Sequence, residues 1–489
     1  MHARTITFLI VVSMLLPSRR TSAQAVVPPI TVGDATIAGS LRTRGYSWNW
    51  FGDTPNGEYM YPASLLRVGI FEPHTRADWR AEFAFPVVMN LPATAVAAAP
   101  QGQLGLGATY FAANGNRATA AAVFLKQGFV RVKQLGGISG QSLTVGRFEF
   151  NDGSETIPKD VTLAALKRDR IGQRLLGAFG FSDVGRSIDG VQYTLARPQL
   201  NLTAVAGRPT QGVFQVNGWP ELRVNVFYGA VTRPGGRDAH ASEWRLFALG
   251  YDDRRDGVVK VDGRPLSIRT ADTSSITIGT YGGHYLQAID TRSGPIDLLL
   301  WGAVQTGSWG ALTHRASAFA VEGGWQPRVL ESLKPWLRVG FDYGSGTHDP
   351  AGSRHGTFFQ VLPTPRVYAR FPFFNLMNIQ DAFGEVALRP ARRVTLRSDV
   401  HALSLADAHD LWYSGGGAFQ PTSFGYTGRP SSGYAGLATL ADVSGDCEIS
   451  ARVSFNVYYG YAAKQLVTQR IYPAGNSAHF GYGEIVLRF

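Results

Sequence analysis

The chain has 489 residues, 44% of them hydrophobic and 12% aromatic, with 57 glycines and a formal charge of +11. Its one cysteine, Cys447, excludes an internal disulfide and a cysteine-based metal site, and beyond the N-terminal leader no stretch holds the roughly 18 apolar residues of a membrane helix. Alternation spreads the apolar side chains instead, as in a barrel that turns its apolar face to lipid and keeps a polar lumen.

In chain order, Arg4, the apolar run from Ile6 to Leu16, Pro17 and Thr21-Ser22-Ala23 read as a signal peptide over residues 1–23, with Gln24 the first mature residue. Its removal takes Arg4, Arg19 and Arg20 and no acid, so the mature chain stays basic. Residues 24–489 then read as a single all-β domain, a transmembrane antiparallel β-barrel of about 18 strands in the bacterial outer membrane. The clearest strands run from Leu222 to Val231, Trp336 to Tyr343, Val394 to Leu403, Ile449 to Tyr461 and Phe480 to Phe489, the last closing on a C-terminal aromatic.

Short and long connections alternate, as short periplasmic turns and long extracellular loops require. Glu72 to Thr75, Ala196 to Gln199, Thr291 to Pro295, Arg389 to Arg392 and Ser444 to Asp446 are the tight ones. The long ones fall near residues 89–118, 151–185, 252–275, 344–379 and 404–433. Within this frame the segment from Lys159 to Gly177 has helical spacing and reads as an external helix whose basic face meets lipopolysaccharide phosphates or water, with a basic lid as the other reading. The Gly-, Pro- and Phe-rich stretch from Gly344 to Ile379 is long enough to fold into the barrel as a plug.

Parity assigns the lumen. In Leu222 to Tyr228 the Leu/Val/Val/Tyr face is placed against lipid and Arg223 with Asn225 inside. The same reading puts Arg338 and Asp342 inside, and Arg397, Asp399 and His401. It also selects Arg42, Arg44, Arg67, Arg80 with Glu82, Arg131, Arg147 with Glu149, Arg389 with Glu385, Arg452, and Arg488 with Glu484. A charged side chain facing lipid at mid-bilayer costs about 2–4 kcal/mol, so strand arginines turn inward. Guanidinium stays charged and grips carboxylates with two parallel bonds, so such a lumen favours anions. The competing reading is that each arginine is neutralised by a lumen acid. Trp48, Trp50, Trp79, Trp244, Trp336, Tyr459 and Tyr461 are assigned to interfacial girdles. His401 has an acid beside it but no serine in a nucleophile motif, so a barrel lipase or deacetylase ranks last. No metal, cofactor or nucleic-acid partner is expected.

Val145 to Gly153, followed by Gly185 to Val191, resembles the paired "GRQ…GD" and "GRsfDGv" strands of the alginate-export outer-membrane barrel family. Gly356 to Gln360, Pro363, Asn378 and Leu405-Ala406-Asp407 through Asp410 to Tyr413 are similar to that family's later pattern, and the resemblance spans nearly all the mature chain. It implies a monomeric eighteen-stranded barrel whose arginine-lined constriction passes an anionic uronate polysaccharide outward. Arg147, Arg186 and Asp189 would lie near that constriction, with a bulge at Gly190 turning Asp189 inward. Implied partners are an inner-membrane polymerase, a periplasmic scaffold and the barrel-assembly machinery that reads the strand ending at Phe489. A general anion-preferring porin for small solutes is the alternative.

Overall fold

The computed structural model describes residues 30–52, 57–237 and 240–489; the expected signal peptide lies outside the described residues. Eighteen antiparallel strands close into a barrel. They are β1 Ala35–Asn49, β2 Glu58–Pro73, β3 Ala77–Val88, β4 Phe124–Lys133, β5 Gln141–Phe148, β6 Ile188–Arg197, β7 Leu200–Pro209, β8 Val224–Arg237 and β9 His240–Asp253. The second half comprises β10 Ile276–Ile289, β11 Ile296–Trp309, β12 Leu312–Trp325, β13 Trp336–Gly344, β14 Ile379–Ala391, β15 Val394–Ser404, β16 Gly436–Glu448, β17 Val453–Lys464 and β18 Ser477–Arg488.

Each strand pairs with the next, and β18 closes on β1 from Ser40↔Arg488 to Asn49↔His479. Closure leaves no strand edge whose amides would face lipid unpaired, and an antiparallel ring closes only with an even number of strands. The seam is tight at Gly39, whose amide bonds the Phe489 carbonyl at 2.8 Å. A Cβ on Gly39 would lie 2.3 Å from the Phe489 ring and 2.7 Å from the Arg67 carbonyl. Gly39→Val is therefore expected to cost about 1–3 kcal/mol by overpacking. Its midpoint of urea unfolding in lipid vesicles should fall below that of the parent, and an unchanged midpoint would show that the seam has slack.

The alternation of short and long connections holds, with two corrections. Ser444-Gly445-Asp446 has turn composition, yet the ladder runs through it, Asp446 opposite both Thr395 and Asn456, and the chain turns at Ile449–Arg452 instead. The segment 210–223, not foreseen as a loop, separates β7 from β8 and sends Val213, Phe214 and Val216 into the interior. Exposed side chains such as Phe227, Leu246, Val304, Val339, Val400 and Ile485 form the outward apolar belt.

Inside, the barrel is filled with protein, and the loop 149–187 reaches into its periplasmic half, where Gln326 just after β12 donates to Thr162 at 2.9 Å. Four helices lie on the loops: α1 Leu106–Ala113, α2 Val161–Leu166, α3 Leu266–Ala271 and α4 Leu466–Ile471. α2 starts at Asp160, whose carboxylate accepts the Leu163 amide at 2.9 Å, and runs on into a π-turn over Lys167–Ile171. Leu163, Leu166, Ile171, Leu175 and Leu176 are all buried; of the segment from Lys159 to Gly177 only residues 161–171 are helical, and its external placement is not borne out. This segment is a plug. The stretch between β13 and β14 also folds inward, as expected, and buries Phe358, Phe359, Phe371, Phe373 and Phe374.

An apolar filling inverts the parity expected on β8. Leu222, Val224, Val226 and Tyr228 point inward and are buried, whereas Phe227 and Val231 face out. The apolar face was assigned to lipid on the premise of a wet lumen. At this height the interior is a hydrophobic core, so the apolar face belongs inside. For the same reason Trp48 and Trp50 lie within the barrel rather than in a girdle, and Trp336 lies inside as well, at the periplasmic end beside Arg338 and Asp297. Trp48 stacks on Phe480 with ring centroids 4.1 Å apart, Trp50 on Phe373 at 5.4 Å, and the Trp336 indole donates to Asp297 at 2.8 Å. Trp244, Tyr459 and Tyr461 remain exposed.

Candidate functional site in the barrel interior

Charge pairing fastens the plug to the wall. Lys167 meets Glu243 on β9 at 2.8 Å, Arg170 meets Glu322 on β12 at 2.8 Å, and Arg174 meets Asp342 on β13 at 2.7 Å. Arg245 on β9 reaches back to Glu155 at 2.8 Å, and Arg338 on β13 bonds Asp297 and Glu322 at 2.5 and 2.9 Å. Arg174 and Asp342 are 0% exposed. Breaking a buried ion pair leaves an uncompensated charge, so these contacts fix where the helix sits. Residue order identifies Arg338 and Asp342 but not their partners: Arg174, from a loop far away in the chain, meets Asp342, and Asp297 and Glu322 on β11 and β12 meet Arg338.

Most strand residues assigned to the lumen do face it, and most are neutralised there. Arg44 donates to Glu484 at 2.5 Å and to the Tyr46 hydroxyl at 3.0 Å, while Arg42 reaches the Gly180 carbonyl at 2.7 Å and Asp183 at 3.4 Å. Arg67 lies between Glu82 and Glu149, the latter at 2.7 Å, and Arg80 shares Glu82. Arg131 and Lys133 flank Asp78 at 3.2 and 2.7 Å, and Arg397 bridges Glu385 at 3.3 Å and Asp169 at 3.5 Å. Asp399 sits opposite both Glu385 and Asp442 in the ladder, and His401 bonds Asp381 at 2.8 Å. Arg488 keeps the inward phase of Glu484 at the periplasmic rim and donates to Ser454 at 3.1 Å.

Four assignments are corrected. The ladder between β5 and β6 has no register shift, so no bulge turns Asp189 inward, and Arg147↔Asp189 share the outward face of the exposed Val145↔Val191 pair. There Arg147 grips Asp189 through two bonds of 2.6 Å and donates to the carbonyls of Leu125, Gly218 and Trp219. Full pairing near the rim makes an outward arginine tolerable. Arg223 precedes β8 in the loop 210–223, is exposed, and pairs with Asp256 outside the lumen. Arg452 lies exposed in the turn between β16 and β17.

Arg186 is inside, as expected, and belongs to a second group that differs in chemistry. The loops 89–123, 210–223, 345–378 and 405–435 enclose a cavity of ≈ 180 Å³ whose lining includes Trp50, Trp412, Tyr426, Phe214, Arg366 and Arg429. Arg366 donates to the carbonyls of Ala369, Arg370, Phe371 and Phe374. Arg429 donates to Ser414 at 2.9 Å and to the carbonyls of Gln101 and Gln103, with its guanidinium 5.1 Å from the centroid of the Trp412 ring. Behind the cavity wall Arg186 bonds the Gly416 carbonyl at 2.5 Å and lies over Phe179, with its Nε and Nη1 unpartnered. Among the described residues none of the three has a carboxylate within ion-pair distance.

Neutral carbonyls orient a guanidinium without cancelling its charge, so these three arginines stay uncompensated by an acid at ion-pair distance. Burial pulls both Arg186 and Arg366 down to about 10, which leaves them cationic at neutral pH. The indole nitrogens of Trp50 and Trp412 are buried and unpartnered as well. Cations, aromatic faces and hydroxyls around one cavity suit an anionic, hydroxyl-rich ligand. Arg366 and Arg429 escape strand parity because they sit on loops. The nearest sequence signal was the resemblance carried by Asp410 to Tyr413, which places Trp412 in this lining.

Solved outer-membrane channels share the architecture. OpdK of Pseudomonas aeruginosa, solved with vanillate, matches with a TM-score of 0.53 at 10% identity, over 93% of this chain and 98% of its own. OccAB2 of Acinetobacter baumannii matches with a TM-score of 0.56 at 7% identity, over 94% and 98%. OccK2 (OpdF) of Pseudomonas aeruginosa in complex with glucuronate gives 0.56 at 8% identity, over 93% and 98%. No curated protein matches the sequence. The model of the family described as Alginate export matches residues 89–462, more than half of the chain, and with the closed eighteen-stranded barrel this places the protein in the bacterial outer membrane as a member of the alginate export family.

Proposed function

We propose that this outer-membrane channel passes an anionic, uronate-type polysaccharide and that the cavity holding Arg366 and Arg429, backed by Arg186, is where its carboxylates are recognised. The observation that carries the reading is the contrast between two sets of buried arginines. Those at the plug and on the strands are neutralised by acids, whereas these three are held by carbonyls and hydroxyls alone. A strong ion trap would stall a polymer. Guanidiniums already sharing their donors with carbonyls offer contacts that exchange.

The reading carries with it a monomeric barrel served by an inner-membrane polymerase and a periplasmic scaffold. Uptake of small anions is the second reading, supported by a cavity of ≈ 180 Å³, the scale of a single sugar, and by the glucuronate held in the similarly folded OccK2. Reversal potential and conductance of the purified barrel in planar bilayers separate the two, with polyuronate or monomeric uronate added to one side. Export predicts anion selectivity and block by polymer at concentrations where monomer has no effect. Equal block by both at equal carboxylate concentration would favour the porin, and no block by either would remove the recognition role of the cavity.

A further inference from the structure

At the extracellular mouth the loops 345–378 and 405–435 meet through three side chains unrelated to the lumen. His348 Nδ1 lies 2.9 Å from one carboxylate oxygen of Asp407, and His409 Nδ1 lies 3.0 Å from the other. The two imidazoles sit edge to face, with centroids 4.9 Å apart, and all three ligand-capable atoms fall within 4.8 Å of one another. We propose that His348, Asp407 and His409 form a divalent transition-metal site that braces the two loops across the mouth of the barrel.

The spacing fits one shared ion. Ligands bound at about 2.0–2.2 Å from zinc stand about 3.3–3.6 Å apart at tetrahedral angles; the two His–Asp separations of 2.9 and 3.0 Å and the overall span of 4.8 Å bracket that value. Two imidazole nitrogens and one carboxylate oxygen select zinc, nickel, cobalt or copper over calcium and magnesium, which take all-oxygen sets. Three protein ligands leave the remaining positions to water, as the exposure of both histidines allows.

The ligands are exposed, but the backbone that presents them is not loose. Asn378, fully buried, accepts the Asp407 amide at 2.7 Å and donates to the Asp407 carbonyl at 3.0 Å. On the other side, the buried Asp410 accepts the Thr347 amide at 2.8 Å, the Tyr413 hydroxyl at 2.8 Å and the Thr357 hydroxyl at 2.5 Å. His348 and Asp407 are thus each one residue or less from a position tied to the core, which reduces the ordering cost of binding an ion. Asn378 and Asp410 act on the backbone and leave the three ligand groups uncommitted to any other side chain.

Cobalt(II) titration of the purified full-length barrel in detergent, prepared without a polyhistidine tag, tests the site through its visible absorption and through calorimetry. One equivalent per chain is expected, displaced by zinc. His348→Ala and His409→Ala should each weaken binding by about tenfold or more, since even a supporting residue commonly costs that much. His74→Ala changes an exposed histidine that pairs only with Glu72 beside it, and should leave the titration intact. Heat-shifted gel mobility confirms that each variant is folded. Identical titrations for the parent and His348→Ala, or no binding to the folded parent, would overturn the proposal.

Discussion

Arg174→Ala is expected to release the plug and raise single-channel conductance several-fold. The guanidinium it removes lies 2.7 Å from Asp342 and 3.6 Å from Glu322, donates to the Arg170 carbonyl, and stacks over Trp301 and Tyr368. Its loss leaves the fully buried Asp342 with Arg170 alone at 3.7 Å, while Glu322 keeps Arg170 and Arg338, and breaking one side of a buried pair costs about 3–5 kcal/mol. The strands do not bear that cost, because β12 and β13 keep their ladder from Ala318↔Gly344 to Trp325↔Leu337. It falls on the segment that contributed the arginine, so the plug leaves while the barrel stands. Planar-bilayer recording with limited trypsin digestion checks this, the buried Lys167 and Arg170 becoming cleavable once the segment is exposed. Unchanged conductance with unchanged protection would mean that the apolar contacts of Leu163, Leu166 and Leu175 hold the plug unaided.

The second large effect is expected when Arg366 and Arg429 are both replaced by methionine, which keeps volume and removes charge. Each charge-assisted contact is worth about 1.5–3 kcal/mol, so loss of one effective contact should raise the polyuronate concentration for half-block by about tenfold or more. Arg147→Met is the matched control. It removes a guanidinium just as well hydrogen-bonded, but on the outward face, and should change block by less than about twofold. Resting conductance must stay the same in all variants for the comparison to concern recognition rather than the integrity of the loops. Similar losses in the double variant and in Arg147→Met would show that the protein's overall charge, and not this cavity, sets polymer affinity.

These expectations differ from those that residue order alone supports, and the difference has one origin. Strand parity placed Arg44, Arg67, Arg338 and Arg397 inside, where each meets a carboxylate of the neighbouring strand. On β8 it failed, since Val224, Val226 and Tyr228 pack against loops that enter from above. Arg147 failed in the same way, because Phe148 and Phe150 beside it turn into the interior rather than to lipid. A bulge was invoked to turn Asp189 inward, but the ladder runs without interruption and the pair is satisfied where it stands. The basic helix was recognised by its spacing and misplaced, because the acids that pull it inward, Glu243, Glu322 and Asp342, sit on three strands distant in sequence.

Residue order alone carries the closed antiparallel barrel, its alternation of tight and long connections and its outward belt. Period-two patterning, turn residues and the cost of charge in lipid are local terms that add along the chain. Only the tertiary structure decided what fills the barrel and which arginines keep their charge. Each buried cation is neutralised, or not, by a partner whose approach depends on how several long loops pack together, and no local pattern records that packing. Arg174 is paired and Arg366 is not because Asp342 lies across from one and backbone carbonyls surround the other.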